Sequence, residues 1–218
     1  MSVPSPGVAV VIDLVDSRKY PDRAGLQNAL LDVLHTVNES VPALQPLRPS
    51  VGDESQAVYA TVTDALIATL LVRLYFLHHG DCRFGIGMGE VRIVDPAEQG
   101  LIQDGSAWWN ARDAIIECRR REKDRDSTLR TWFLAEHSIP DSPPPTLVNS
   151  YLLSRDHLVS RLSGRNRRLL IGLIDGAKQV ELAQLENISE SAVSQTLRSS
   201  GVHAILSGMR LLTSTDDS

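Results

Sequence analysis

Two acidic residues near the start of the chain have the types and positions that a metal site needs. Asp13 ends a β-branched run that predicts a strand buried on both faces, and Asp53 lies in the turn of a predicted hairpin. A strand ending in one carboxylate, beside a hairpin carrying another, places both at one edge of a sheet. Such a pair is what a divalent cation bound to a triphosphate requires. The sequence therefore predicts Asp13 and Asp53 as ligands of Mg²⁺ or Mn²⁺ in a nucleotide site.

Polar and flexible residues around these acids extend the predicted site. The full set of predicted ligand-binding residues is Asp13, Asp16, Ser17, Arg18, Arg48, Gly52, Asp53, Glu54, Gly87 and Arg112. A structural alternative stands beside this interpretation. The first carboxylates and the serine also suit helix caps, and a Gly-Asp pair also suits a simple turn.

Three glycines, Gly85, Gly87 and Gly89, alternate along one predicted strand. They either contact a ligand or make room for a crossing helix, and they lack the strand-to-helix setting of a phosphate-binding loop. Trp108 and Trp109 leave similar alternatives open. Tryptophans at such positions stack on a ligand or pack in a core or a dimer interface.

Residues 179–197 have the pattern of two short amphipathic helices joined by a tight turn. Asn187 suits a left-handed turn position, and Ser189 suits the cap of the second helix. The first helix is expected to bury Leu182, Ala183 and Leu185.

The outward side of the second helix carries residue types that read base edges in the major groove of DNA. The predicted DNA-binding residues are Lys178, Glu190, Ser191, Ser194, Gln195 and Arg198. The segment resembles the helix-turn-helix of many bacterial repressors, although Glu186 stands where an apolar residue is usual. The alternative is a merely structural corner between two helices.

Hydrophobic periodicity predicts the elements that position these residues. The predicted strands are 7–14, 47–51, 55–61, 82–94 and 129–134, and the predicted helices of the same region are 22–39, 63–79 and 107–121. This βαββαβ order, with an added helix and strand, is typical of a ferredoxin-like or palm-type sheet with helices on one face. Further helices are predicted at 147–162 and 165–174, with a last helix or wing at 202–212.

A proline-rich run at 140–145 cannot continue a helix or a central strand, and it predicts the boundary between two domains. The fold class expected is α+β. A ferredoxin-like or palm-type sheet domain at 1–139 precedes the linker, and an all-α helix-turn-helix domain with a polar tail follows at 146–218.

The first domain resembles the class III nucleotidyl cyclases and related palm domains. In those enzymes the metal-binding Asp at the end of the first strand corresponds to Asp13, and the hairpin Asp after a Gly corresponds to Asp53. Over nearly all of residues 8–212 the chain is similar to the SatD family, through residues 12–18, 52–54, the glycine strand and 111–112. This resemblance implies a regulator-like architecture.

The departures from a cyclase favour ligand binding over catalysis. A Lys that reads adenine, four residues before the hairpin Asp, is replaced by Pro49. Cyclases also place an Asn and an Arg four apart on a helix, whereas Asn110 and Arg112 are two apart. Because a helix turns about 100° per residue, residues two apart point to nearly opposite sides.

The composition fits a folded chain of one large or two small domains, with 218 residues of which 42% are hydrophobic. The net charge of −5 disfavours non-specific coating of nucleic acid, although residues 146–212 contain eight basic and five acidic residues. Two cysteines are too few for a disulfide framework or a zinc site. Without a signal peptide or an apolar run near twenty residues, a cytoplasmic protein that does not enter the membrane is expected.

The leading hypothesis from the sequence is a DNA-binding transcriptional regulator whose palm-type domain senses a nucleotide or cyclic nucleotide. A homodimer is expected, since symmetric dimers bind paired half-sites on double-stranded DNA. The alternative is a metal-dependent nucleotidyl cyclase or related nucleotide-transforming enzyme that uses the helix-turn-helix as a targeting module. A third hypothesis is a structural adaptor whose first domain only dimerises.

Overall fold

The computed structural model describes residues 5–50, 52–95, 102–136, 139 and 142–214. The strands are β1 Ser5–Leu14, β2 Gln45–Pro49, β3 Glu54–Tyr59, β4 Cys82–Asp95, β5 Ile102–Asp104 and β6 Thr131–Ala135. The helices are α1 Arg23–Ser40, α2 Val62–Phe76, α3 Ser106–Asp124, α4 Pro145–Ser160, α5 Gly164–Ile174, α6 Gln179–Leu185, α7 Glu190–Ser199 and α8 Val202–Thr213. A short 3-10 turn, Ser17–Lys19, follows β1.

The strands form a sheet in the order β2-β3-β1-β4-β5, in which neighbours are antiparallel, and β6 pairs in parallel with β4. β1 is central and is buried on both faces from Val8 to Ile12. A strand covered on both sides reads as a continuous apolar run, which is the pattern that predicted it. In this register Asp13 lies opposite Glu54 on β3 and Arg83 on β4.

Helix α3 covers one face of the sheet. Its buried residues pack with the side of β1 that carries Ala9 and Val11. Because side chains alternate along a strand, Val8, Val10 and Ile12 face the other side, where α2 contacts β1, β3 and β4 and packs against α1. The sequence predicts helices on one face of the sheet. α1 and α2 lie on one face, whereas the added helix α3 covers the opposite face.

The chain divides into two compact units, residues 1–153 and 154–218, and the division falls within α4. The first half of α4 belongs to the sheet unit. There the amide of Asn149 accepts a hydrogen bond from Phe133 N at 2.9 Å and donates one to Phe133 O at 2.9 Å, so that it pairs with the backbone of β6. The proline-rich run expected as a linker leads into this helix, which begins at the last residue of the run, Pro145, and the first two residues of the run lie outside the described part of the chain.

The second unit is helical. Its core includes residues from each of its helices: Val159, Leu169, Leu170, Leu182, Ala183, Val193, Leu197, Val202, Ile205 and Leu206. The α+β fold class expected for the whole chain is therefore confirmed. The predicted elements agree with the observed ones, and the last helix or wing is a helix, α8. Strand β5 had not been expected.

None of the helices in the described part of the chain is both long and apolar enough to span a lipid bilayer.

Candidate functional site

A cavity of about 400 Å³ opens where β1 ends, and it brings together the acids that the sequence singled out. We call it the acid–arginine pocket. Its lining residues are Asp13, Leu14, Asp16, Ser17, Arg18, Lys19, Asp53, Arg83 and Arg119. These come from the end of β1, the turn that follows it, the β2–β3 hairpin, β4 and α3. The pocket is therefore built where the sheet edge meets the C-terminal half of α3.

Asp13 is held by two arginines. Its Oδ2 lies 3.3 Å from Arg83 Nη1 and 2.8 Å from Arg119 Nη2. Arg83 comes from the facing position of β4, and Arg119 comes from α3. The Asp13 side chain is 14% exposed and that of Arg119 is 45% exposed, so the ion pair lies at the pocket wall and can be reached from solvent.

Asp53 has a hydroxyl and a guanidinium as partners. Ser17 Oγ donates to Oδ2 at 2.6 Å, and Arg23 Nη2 donates to Oδ1 at 2.9 Å and to Oδ2 at 3.1 Å. The hydrogen bond from Ser17, followed by the charge and hydrogen bond of Arg23, lowers the pKa of Asp53 from its ordinary value. The carboxylate is therefore ionised throughout the neutral range.

The backbone at Asp16 turns the chain into the pocket. Asp16 adopts a left-handed conformation with a φ of 54°, which Asp tolerates better than most residues. Its carboxylate accepts a hydrogen bond from Lys19 Nζ at 2.9 Å, and this bond lowers the pKa of Asp16. The turn thereby places Ser17, Arg18 and Lys19 around the mouth of the pocket.

The helix-turn-helix geometry predicted in the second unit is present in α6 and α7. Asn187 takes the left-handed turn position with a φ of 53°, and Ser189 Oγ accepts a hydrogen bond from Ala192 N at 3.2 Å at the start of α7. Leu182 and Ala183 are buried as expected. Leu185 is 79% exposed, so the prediction that it lines the inner side of α6 is wrong. The seven-residue α6 ends at Leu185, where the chain turns away from the core.

Glu186, the unusual residue of this motif, serves as an ionic link between helices. Its carboxylate accepts hydrogen bonds from Arg168 Nε at 2.6 Å and Arg168 Nη2 at 2.7 Å, and it lies 3.6 Å from Arg165 Nε. The hydrogen bonds with Arg168 lower the pKa of Glu186. A charged fork from α5 thus replaces the apolar contact that is usual at this position.

The exposed side of α7 carries the predicted DNA-binding residues. Ser191, Ser194, Gln195 and Arg198 line one surface of the second unit. Arg198 Nη2 donates to Ser194 Oγ at 2.7 Å, one helical turn away, and this bond orients the guanidinium along the helix. Glu190 lies at the start of the same helix, and Lys178 precedes α6.

A family model describing the SatD family matches residues 7–213 of this chain. The chain belongs to the SatD family. No curated protein matches it. Solved structures similar to this SatD family protein include a bacterial light-regulated adenylyl cyclase, with a TM-score of 0.47 and 12% sequence identity over 61% of this chain and 77% of that chain.

Two further solved structures are also similar to this chain. The guanylyl cyclase Cya2 gives a TM-score of 0.41 and 12% identity, covering 50% of this chain and 69% of that chain. A microbial GGDEF domain described with bis-(3,5)-cyclic di-GMP gives a TM-score of 0.39 and 17% identity, covering 60% of this chain and 77% of that chain.

The pocket of the SatD family protein contains part of the predicted ligand set. Its lining includes Asp13, Asp16, Ser17, Arg18 and Asp53 and omits the remaining predicted residues. The residues outside the lining are Arg48 on β2, Gly52 in the hairpin turn, Glu54 on β3, Gly87 on β4 and Arg112 on the exposed side of α3.

Gly87 lies directly beneath α3. A methyl group at this position would lie 2.2 Å from Ala107 O and 2.3 Å from Ala111 N. Gly85 and Gly89 meet the same helix in the same way. The placement of the three glycines matches the packing alternative, in which they allow a helix to cross close to the strand.

The two tryptophans and Asn110 have separate surroundings on α3. Trp108 is fully buried against the sheet, whereas Trp109 is 59% exposed. Asn110 Nδ2 donates to Met88 O at 2.9 Å, so its side chain is directed at the backbone of β4. Because α3 is continuous through Asn110 and Arg112, the two side chains leave the helix on different sides, as the sequence predicts.

Four cationic residues of the site lie outside the predicted ligand set: Lys19, Arg23, Arg83 and Arg119. Arg83 had a detectable signal, because the antiparallel register of β1 and β4 places it opposite Asp13. Lys19 lies within the turn already selected. Arg23 and Arg119 come from helices, and no local pattern indicates that they reach the acids of distant strands.

Asp13 and Asp53 place two carboxylates in the lining of one pocket, each paired with an arginine. Within the described residues, no group of three or more His, Cys, Asp or Glu side chains is arranged to hold a metal ion. Asp13 and Asp53 are hard oxygen ligands of the kind that Mg²⁺ and Mn²⁺ prefer. Arg23 donates to both oxygens of Asp53, whereas Arg83 and Arg119 both contact Oδ2 of Asp13.

Proposed function

We propose that the acid–arginine pocket binds the phosphate groups of a nucleotide, together with a divalent cation, and that the second unit binds DNA. The observation that carries the first half is the convergence of cationic side chains on one small cavity. Arg18, Lys19, Arg83 and Arg119 line it, and Arg23 reaches Asp53 from α1. The four lining cations exceed the three lining carboxylates by one, so the lining has a small net positive charge that favours an anion.

Arginine is the residue that best matches phosphate oxygens, because its planar guanidinium donates two parallel hydrogen bonds. In the protein without ligand, Arg23 and Arg119 donate to Asp53 and Asp13. A polyphosphate offers these same donors a more highly charged acceptor. When a polyphosphate binds, Arg23 and Arg119 therefore donate to phosphate oxygens in place of Asp53 and Asp13. The two released carboxylates would then be able to hold a cation together with the phosphates. A bound cation neutralises the remaining negative charge of the phosphates.

The test is isothermal titration of the full chain with ATP, GTP and inorganic triphosphate, each with and without Mg²⁺. We expect Arg23→Gln and Arg119→Gln each to weaken binding by about 10- to 150-fold, because a hydrogen bond to a charged group contributes about 1.5–3 kcal/mol. Asp32→Asn is the matched control, since Asp32 is an exposed carboxylate on the same helix as Arg23. Wild-type protein that binds none of the three ligands would overturn the proposal.

The dependence of ligand binding on Mg²⁺ distinguishes the role of the two aspartates from that of the arginines. Asp13→Asn and Asp53→Asn remove the cation ligands and leave the arginines in place, so triphosphate binding should persist without Mg²⁺ and lose its enhancement by Mg²⁺. Melting curves must accompany the titrations, because ligand that binds only the folded state raises the melting temperature by mass action. A full Mg²⁺ enhancement in both variants would remove these carboxylates from the cation site.

DNA binding is supported by the exposed side chains of α7 and by the capped turn that holds it. A helix of this kind enters the major groove with its outward residues against base edges. A symmetric dimer would present two such helices to half-sites about 34 Å apart. Together, the two halves of the proposal describe a nucleotide-responsive DNA-binding regulator.

A second candidate function is turnover of the bound nucleotide by a cyclase-type reaction. The observation that favours it is that Asp13 and Asp53 line one pocket. The surroundings of Asn110 and Arg112 disfavour it, because the first is engaged with the β4 backbone and the second is exposed elsewhere on α3. Incubation with ATP or GTP and Mn²⁺, followed by chromatography, tests it. A cyclic or linked product that disappears in Asp53→Asn would establish the enzyme in place of the sensor.

A further inference from the structure

The acid–arginine pocket is backed by a chain of alternating charges that continues into the protein. Arg83 Nε donates to Glu122 Oε2 at 2.6 Å, and the other oxygen of Glu122 lies 3.1 Å from Arg130 Nη1. Arg130 Nε donates in turn to Asp81 Oδ2 at 2.6 Å. The chain ends at Arg73, whose Nε donates to Asp81 Oδ1 at 3.2 Å.

The members of this chain are mostly buried, from 21% exposed at Asp81 to 1% at Arg73, and Arg119 at the pocket wall is more exposed than any of them. The Arg119 side chain is 45% exposed, those of Arg83 and Glu122 are 15% and 16% exposed, and that of Arg73 is 1% exposed. Buried charges are retained only when they are paired and hydrogen-bonded, and such pairs restrict their side chains to one arrangement. The buried ion pairs therefore hold Glu122, and through it Arg83, in one arrangement.

Arg83 directs one donor to Glu122, away from the pocket, and another to Asp13 at the pocket wall. Its Nε is directed to Glu122, and its Nη1 is 3.3 Å from Asp13 at the pocket wall. The bond to Glu122 is much the shorter of the two. An anion that replaces Asp13 on Nη1 can therefore leave the Nε bond intact, and the plane of the guanidinium is already set when the anion arrives.

We propose that Glu122 is a positioning residue that holds the Arg83 guanidinium ready for phosphate. This inference rests on the proposed binding of phosphate in the pocket. Glu122 contacts no ligand in this arrangement; it acts through Arg83, and its second oxygen fixes it to Arg130. An unrestrained Arg83 would have to lose its side-chain freedom on binding, which costs affinity.

The variant that tests this role is Glu122→Asp. It keeps the negative charge, so the field in the pocket is nearly unchanged, but it withdraws the carboxylate by one methylene and breaks the short bond to Arg83 Nε. The matched control is Glu117→Asp on the same helix, because Glu117 pairs with Arg120 and Arg121 outside the pocket lining.

The measurement is the Kd of inorganic triphosphate for the full chain in four variants: Glu122→Asp, Arg83→Gln, their double mutant and Glu117→Asp. We expect Glu122→Asp to raise Kd about fivefold, which is the usual effect of one more side chain to immobilise. In the Arg83→Gln background the same change should leave Kd unaltered, because its effect passes through Arg83. Glu117→Asp should bind like the wild type.

Two further measurements distinguish the possible outcomes. The NMR signal of Arg83 Nε–H should be protected from exchange in the wild type and lose that protection in Glu122→Asp. A lowered melting temperature with unchanged Kd would overturn the positioning role and leave Glu122 a structural residue, while phosphate binding by the wild type would still stand. No triphosphate binding by the wild type would overturn both this inference and the proposed function.

Discussion

Gly87→Ala tests whether the glycine strand serves packing or ligand contact. A Cβ at residue 87 would lie 2.2 Å from Ala107 O and 2.3 Å from Ala111 N, whereas ordinary contacts begin near 3.4 Å. Both neighbours are backbone atoms of α3, which have no alternative rotamer. The helix must therefore move away from β4 by about 1 Å, and a gap of this size forfeits a quarter to a half of each dispersion contact that it opens.

The cost is expected at the upper end of the range for overpacked cores. Such substitutions destabilise by about 1–3 kcal/mol, and α3 carries buried Trp108 and Ile115 that would share the displacement. We therefore expect a loss of about 3 kcal/mol. For a unit of about 150 residues this corresponds to a fall of about 9 °C in Tm. Asp113→Ala is the control, since Asp113 is exposed on the same helix and the change adds no bulk between α3 and the sheet.

Urea unfolding followed by tryptophan fluorescence measures this effect in the sheet unit alone, because the three tryptophans of the chain are Trp108, Trp109 and Trp132. Asp113→Ala should leave the transition within about 0.5 kcal/mol of the wild type. A Gly87→Ala protein with wild-type stability that has lost triphosphate binding would refute the packing argument and make Gly87 a ligand contact.

Three further predictions concern charge and DNA. The hydrogen bonds from Arg120 and then Arg121 lower the pKa of Glu117 from 4.5 to about 2, so its stabilising contribution is present above pH 4.5 and is lost as the pH falls towards 2; acid unfolding of Glu117→Gln against the wild type measures it. Glu186→Gln should lower the Tm of the second unit by about 3 °C, as followed on heating by the backbone NMR signals of each unit, because it removes the charged fork to α5; an equal loss in the sheet unit would contradict this. Arg198→Ala and Gln195→Ala should each reduce discrimination between a selected DNA site and a scrambled one by about 1–3 kcal/mol in competition binding, and unchanged discrimination in both would remove α7 from base reading.

The local elements of this fold could be predicted from the sequence because they depend on neighbours in the chain. A strand buried on both faces must be continuously apolar, and residues 8–12 have that pattern. Asn187 and Ser189 likewise identified the turn and the start of α7, since a left-handed residue and a helix cap act within three or four positions. Strand β5 was missed because three residues carry too little periodicity.

The sequence also determined that Asp13 and Asp53 approach each other, because strand order and hairpin geometry place both at one edge. Only the tertiary structure decided their partners. Arg23 and Arg119 reach them from helices whose orientation depends on packing against the sheet, and their distance along the chain carries no sign of the contact. The difference between a bare pair of carboxylates and an arginine-filled pocket is therefore a long-range property. Under the proposed function, it makes an anion the expected first ligand, in place of the cation that the two carboxylates alone predict, because the arginines match phosphate oxygens.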